Sequence, residues 1–377
     1  MIYLDYNATT PLDREVFEAM RPFLFEAFGN ASSRHDMGCR AATAVEAARA
    51  EAAAAIGADP REIVWTSGAT ESNNLAILGV AESPIASRTG GHVVTIRTEH
   101  PAVLDPIREL QRRGHAATIL PVDGEGAVDL AALNAAITEE TRLVSVMHAN
   151  NETGALAPIR EIARIAHGKG ALFHTDATQS FGKLAIDVEE DGIDLLSFSA
   201  HKLYGPKGVG GLYVRRRSPR VRLGARQFGG GHERGVRSGT LNVPGIVGLG
   251  AATRIAVARR AEEMPRIRAQ RDRLEAALLA LEGVARNGPA ANRLAHTTNL
   301  SFGELDAREL MKCMPDLCVS TASACTSAAL QPSHVLGAMG LEDARIGSSL
   351  RFSLGRFTTD EEIERAAAMV RSAVGGE

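Results

Sequence analysis

Leu195-Leu-Ser-Phe-Ser-Ala-His-Lys-Leu-Tyr-Gly-Pro-Lys-Gly208 runs from a short apolar-rich segment into a lysine and then a glycine-proline turn. A short apolar run stopped by turn residues reads as a buried strand, here placed at 195–199. Lys202 then follows the strand's carboxyl end, the edge at which open parallel sheets bind ligands. An arbitrary lysine is ordinarily a solvated surface charge. The flanks, Ser199 and His201, argue instead for an amine of fixed geometry and depressed pKa, as a Schiff-base lysine requires. Five of the 42 basic residues are lysines (Lys169, Lys183, Lys202, Lys207 and Lys312), so chemistry needing a primary amine has few candidates.

Further strands are expected on either side at 62–66, 92–96, 116–122, 143–148 and 171–175, with helical spacers at 102–113, 129–138 and 158–169. The alanine-rich stretch 37–56, stopped by Gly57, predicts a helix, and 75–80 predicts another after a turn. Strands alternating with single helices argue for an α/β domain with a largely parallel sheet and crossovers of one hand. A glycine-dense stretch at 205–211 and a loop at 224–245 follow. A long helix at 246–282 then leads into a second lobe.

Three more features fall on the same sheet edge. The strand at 171–175 ends in Asp176, with Gln179 three residues on: an acid there suits a protonated pyridine nitrogen, and the amide suits a ring hydroxyl. Ser67-Gly-Ala-Thr70, at a strand-to-helix junction, offers backbone N–H groups and a helix dipole to a phosphate. His100, in Thr-Glu-His-Pro, is placed to stack on a ring and to move protons near neutral pH. Asn151 falls at a further strand end.

Composition bounds the rest. With 377 residues, 45% apolar and a net charge of -3, the chain fits one or two globular domains and gives no basic surplus for nucleic acid. It shows no signal-peptide pattern and no membrane-spanning window, which predicts a cytoplasmic protein with no membrane partner. Cys39, Cys313, Cys318 and Cys325 fit neither a disulfide scaffold nor a common zinc pattern, so free thiols and no metal are expected. Cys39, in the 37–56 helix, and Cys313 and Cys318, beside Met311, Met314, Leu317 and Val319, are expected to be buried filler. Cys325 differs. Its segment, 320–332, is small, polar and poor in bulky anchors, as in an exposed loop.

Over nearly its whole length the chain resembles the cysteine desulfurases of the NifS and IscS kind, within the class V aminotransferases. The motifs that carry the resemblance are YLDYNATTP (3–11), SGATES (67–72), TEH (98–100), NNETG (150–154), HTDATQS (174–180), SFSAHKLYGPKG (197–208), GGGHERGVRSGT (229–240) and RFSLGRFTT (351–359). The resemblance implies an aspartate-aminotransferase-like fold of type I. Its large pyridoxal-phosphate domain would span 15–259, and a smaller α+β domain would comprise 1–14 and 260–377 with the 320–332 loop.

Carried over by motif, the resemblance implies pyridoxal 5'-phosphate anchored on Lys202, with Asp176 at the ring nitrogen, Gln179 at the ring oxygen and His100 on the ring face. Ala69, Thr70, Ser199 and His201 would hold the phosphate, with Thr240 reaching the neighbouring subunit's cofactor in a homodimer. Asn151 and Arg351 would bind the substrate, the arginine forking onto its carboxylate, while Arg356 reads as a structural ion pair. Cys325, in A-C-T-S, matches the persulfide-forming cysteine. The implied reaction takes sulfur from L-cysteine, leaves L-alanine and passes sulfur to an acceptor protein, a cluster scaffold or thiolation enzyme. Selenocysteine lyase and aminotransferase activities of the same fold, and an acceptor-binding scaffold without turnover, are the competing readings.

Overall fold

The computed structural model describes residues 1–83, 91–321 and 332–375. Its centre is a seven-stranded sheet of β2 (Ile63–Thr66), β3 (His92–Ile96), β4 (Ala117–Leu120), β5 (Thr141–Ser145), β6 (Leu172–Asp176), β7 (Leu195–Ser199) and β8 (Gly210–Val214). The spatial order is β2-β8-β7-β6-β5-β3-β4, and every pairing is parallel except the two made by β8. β2, β3, β5, β6 and β7 therefore point one way, and their carboxyl ends share one edge.

The predicted strand at 195–199 is β7, buried at all five positions. β8 corrects the reading of 205–211 as turn alone. Gly210 and Gly211 enter the sheet because a side chain there has no room: a Cβ on Gly211 would lie 2.3 Å from the Phe198 ring. Expected strand 143–148 starts earlier, at Thr141, and ends at Ser145. Beyond it, Val146 and His148 still donate to the β6 carbonyls of His174 and Asp176, so the chain stays extended to the site.

The helices on this sheet are α1 (Arg14–Met20), α2 (Pro22–Phe25), α3 (Asp36–Ala54), α4 (Ala69–Ala81), α5 (Pro101–Arg112), α6 (Leu130–Ala136), α7 (Ile159–Gly168) and the first half of α8 (Val243–Leu279). Each face carries its own core: Val45, Ile56, Trp65, Phe173, Phe198 and Leu249 on one side, Leu75, Val93, Ile107, Leu195 and Leu212 on the other. With both faces covered, a polar ligand is left only the strand ends.

α8 leaves the first core after Ala256 and enters another at Ile267, with Pro265 between. That core joins α8 to α9 (Ala307–Lys312), α12 (Asp360–Gly375) and an antiparallel sheet of β12 (Ser320–Thr321), β13 (Ser349–Ser353), β10 (Thr297–Phe302) and β9 (Val284–Arg286). The amino terminus belongs here too. β1 (Ile2–Tyr3) pairs in parallel with β11 (Leu317–Cys318), and Ile2 and Leu4 enter this apolar cluster. α10 (His334–Ala338) and α11 (Asp343–Gly347) supply a small cluster of Val335, Leu336, Met339 and Ile346. No helix of the described residues is long and apolar enough to cross a membrane.

Arg356 joins these parts as the ion pair expected of it. Its Nη1 bonds Asp13 and its Nε bonds Glu263, each at 2.7 Å, and its guanidinium lies 4.4 Å from the Tyr204 ring centroid. All three charged side chains are buried or nearly so. Removing the cation strands two carboxylates, so Arg356→Ala is expected to destabilise the fold by about 3–5 kcal/mol. Chemical denaturation measures this, and a loss below about 1 kcal/mol would place the pair among those of surface strength.

Candidate active site

The shared sheet edge collects the strand-end residues. Thr66 of β2 and Ser199 of β7 both pair with Gly210, so the 67–70 turn lies beside Ser199. Gly68 caps α4 with φ +156°, a conformation glycine tolerates, and a Cβ on Gly210 would sit 2.7 Å from the Gly68 Cα. The two glycines thus let the turn lie flat on β8. Ala69 and Thr70 begin α4, where N–H groups lack intrahelical acceptors and the dipole favours an anion.

Lys202 closes the short 3-10 turn Ala200–Lys202 after β7 and is buried. Its Nζ donates to the backbone carbonyls of Asn7 and, at 2.7 Å, Ala8. Beside it, His201 Nδ1 lies 3.2 Å from the Thr9 hydroxyl, and burial, with Lys202 next, lowers the imidazole to about 4. His100 N-caps α5, its Nδ1 accepting the Ala102 N–H at 3.0 Å. Burial lowers its pKa below 6.5; Asp176 opposes that shift and Lys202 adds to it. The ring is therefore neutral at pH 7 and, with Nδ1 engaged, its other nitrogen is the one left for proton exchange.

Asp176 ends β6, with Oδ2 accepting from Asn73 Nδ2 at 2.7 Å and Oδ1 from the Thr178 N–H at 2.9 Å. Two donors hold the carboxylate in a fixed orientation. Gln179 gives its Nε2 to the Asn7 carbonyl at 3.0 Å, while its buried Oε1 has no partner among the described residues. Nearby Glu99 accepts the Met147 N–H at 2.5 Å, and burial, with the charge of Asp176 adding to it, raises its pKa well above the ordinary value.

These side chains line one cavity of about 510 Å³: Ala69, Thr70, His100, Asn151, Asp176, Gln179, Ser199, His201 and Lys202 all contribute. Asn7 and Asn73 were not singled out from the sequence. Asn7 sits inside a quoted motif, yet its service is mostly through its carbonyl, which no residue type announces.

Two expected site residues stand apart. Arg351 is fully buried on β13 and does not line the cavity: Nη1 bonds the Asn151 carbonyl at 2.9 Å and Nη2 pairs with Asp5 at 2.7 Å, while Nε has no partner among the described residues. Thr240 is exposed and also off this chain's cavity wall.

Cys325, with most of its 320–332 loop, lies outside the described residues. The expectation for the other cysteines fails: Cys39 and Cys313 are exposed and Cys318 is half-buried. Cys39 falls off the α3 face that buries Gly38, Ala41, Val45 and Ala48, and Cys313 caps α9 just before buried Met314.

A family model for the class-V aminotransferases matches residues 2–366. A cysteine desulfurase IscS of Anaeromyxobacter sp. (strain Fw109-5) is 55% identical over 371 residues, covering 98% of this chain and 91% of the relative. One from Dechloromonas aromatica (strain RCB) is 52% identical over 375 residues, covering 99% and 92%. Among solved structures, a NifS-like protein superposes with a TM-score of 0.92 at 36% identity over the whole of both chains. SspA, solved in complex with cysteine, superposes at 0.83 with 37% identity, covering 95% of this chain and all of its own.

Proposed function

The chain belongs to the class-V aminotransferase family and is a pyridoxal-phosphate-dependent cysteine desulfurase, and from that premise we propose how its residues divide the work. The described cavity suits the cofactor on its own terms. It offers an amine (Lys202), a doubly held carboxylate (Asp176), an unpartnered buried acceptor (Gln179 Oε1), a neutral imidazole (His100) and a glycine turn at a helix start. Their convergence on one wall is the observation that carries the assignment.

In this reading Lys202 anchors the cofactor, Asp176 keeps the ring nitrogen protonated, Gln179 meets the ring oxygen and His100 covers the ring. Ala69, Thr70, Ser199 and His201 hold the phosphate. A second copy of the chain completes that cradle with Thr240, whose exposure leaves it available to another subunit. Asn151 positions the substrate, and Arg351 takes its carboxylate in exchange for part of the present hold on Asp5. The large domain is 15–259, and 1–14 with 260–377 forms the small one, consistent with where Ile2, Leu4 and the distal half of α8 are packed.

When bound, the cofactor supplies an electron sink that loosens bonds at the amino acid's α-carbon. Lys202 Nζ, freed by the substrate amine, moves the α-proton. Cys325, as thiolate, attacks the substrate sulfur: an S–S bond forms as the C–S bond breaks, and the C–S electron pair stays with the departing carbon. Protonation there gives alanine. His100 is placed to exchange protons with one thiol or the other: in the neutral ring Nδ1 accepts the Ala102 N–H, so Nε2 carries the hydrogen and is the donor. The persulfide sulfur leaves to a second thiol, on an acceptor protein or a small reductant.

The assay is direct. Cofactor-loaded protein given L-cysteine and excess thiol is expected to yield alanine and sulfide in equal amounts over many turnovers. 3-Mercaptopyruvate in place of alanine, without sulfide and with the cofactor ending in its amine form, would instead report an aminotransferase.

A further inference from the structure

The 67–70 turn carries a carboxylate where an anion is to be held. Glu71, third residue of α4, accepts the Ser67 N–H at 2.7 Å through Oε2 and lines the same cavity. Burial alone would raise its pKa, yet the bonds from Arg237 and Ser67 keep it below the ordinary carboxylate range, so it is charged at neutral pH. Its counter-ion is Arg237, with Nε 2.8 Å from Oε1 and Nη2 3.4 Å from Oε2; both side chains are largely buried.

Arg237 stands three residues before Thr240, in a segment that is pinned along its length. Gln227 Nε2 donates to the Ser238 carbonyl at 2.7 Å, the Ser238 N–H donates to the Gln227 carbonyl at 3.2 Å, and the Gly239 N–H reaches His232 Nδ1 at 3.3 Å. Glu233, deeper in the same loop, bonds Arg49 at 2.8 Å and 2.9 Å and accepts the Trp65 N–H at 2.9 Å, one residue before Thr66. The loop and the turn are thus one hydrogen-bonded body, joined at Trp65 and at Glu71.

We propose that Arg237 is a positioning residue for the cofactor phosphate on both sides of the dimer. In its own subunit it neutralises Glu71, which would otherwise set a full negative charge against a phosphate dianion at the same helix start. Through the same pair it fixes the segment that presents Thr240 to the neighbouring cofactor, so that filling one site firms the cradle of the other. The inference rests on the reading that the 67–70 turn holds the phosphate and that Thr240 crosses to the second subunit.

The test is cofactor titration into the full-length apo-protein, followed by absorbance, with dimerisation and thermal unfolding recorded for each variant. Wild type is expected to bind with a Hill coefficient above one. Arg237→Gln, with Glu71 left charged and unpaired, is expected to bind roughly tenfold more weakly and without cooperativity. Glu71→Gln keeps the acceptor for Ser67 and should bind at least as tightly as wild type. Its combination with Arg237→Gln should recover affinity but not cooperativity. A double variant no tighter than Arg237→Gln alone would make Arg237 a mere prop and overturn the charge argument, and equal cooperativity in wild type and Arg237→Gln would overturn the coupling. Thr240→Ala separates the premise: unchanged cofactor affinity there refutes the shared site, while the Glu71 and Arg237 cycle still reports on the phosphate turn.

Discussion

Lys202→Ala is expected to abolish turnover of L-cysteine, by at least roughly 10³-fold, because in the proposed mechanism one substitution removes both the covalent anchor and the base that moves the α-proton. The anchor is the sharper readout. Borohydride reduction of the loaded wild-type protein should fix the cofactor to the peptide containing Lys202, and mass spectrometry of the variant should find no lysine bearing it. Lys207 is the competitor to watch, since it lines the same cavity, whereas Lys183 is turned to His296 at 3.4 Å and does not line it. Label on Lys207 at wild-type yield would overturn the assignment of the anchor. Non-covalent binding should survive in part, because the phosphate turn, Asp176 and Gln179 are untouched. The carbonyls of Asn7 and Ala8 lose their ammonium donor, so added primary amines should recover a fraction of activity if the defect is chemical rather than structural.

The strand ends were legible because their pattern is local. β7 and Lys202 lie within eight residues, and a buried strand that stops at a polar turn announces a ligand edge without help from the rest of the chain. The 67–70 turn was readable for the same reason. What escaped was set by partners far along the sequence. Asn73 reaches Asp176 only once α4 packs beside β6, and the Asn7 carbonyl serves Gln179 and Lys202 only once the amino terminus crosses to the large sheet. β8 was hidden because the glycines that read as a turn are the ones that let it lie against Phe198 and Gly68. Arg351 was identified as a carboxylate binder by its motif, but its present partner, Asp5, sits near the other end of the chain. The misplaced cysteines carry a simpler lesson: apolar neighbours in sequence do not bury a residue when helix phase turns it outward, as it does Cys39.

In the proposed mechanism sulfur transfer depends on Cys325, which lies outside the described residues, and Cys325→Ala therefore carries the second large effect. The variant should keep the cofactor, since every group assigned to hold it lies elsewhere, and its absorbance should match wild type. Alanine formation should fall by at least roughly 10³-fold, because the S–S bond that drives C–S cleavage has no nucleophile to form from. No described thiol is placed to substitute: Cys39, Cys313 and Cys318 are all absent from the cavity wall. Exposed Cys39 and Cys313 can still collect sulfur from released sulfide under oxidising conditions, so persulfide must be located by peptide and not by total count. Single turnover with sulfur-labelled cysteine should place the label on the Cys325 peptide in wild type and on none in the variant. Label reaching the Cys318 peptide at the wild-type rate, with alanine formation intact, would move the nucleophile there. Since Lys202 and Asp176 suit many reactions of amino acids, loss of sulfur chemistry with the cofactor in place would show that the thiol, not the cofactor pocket, selects this one.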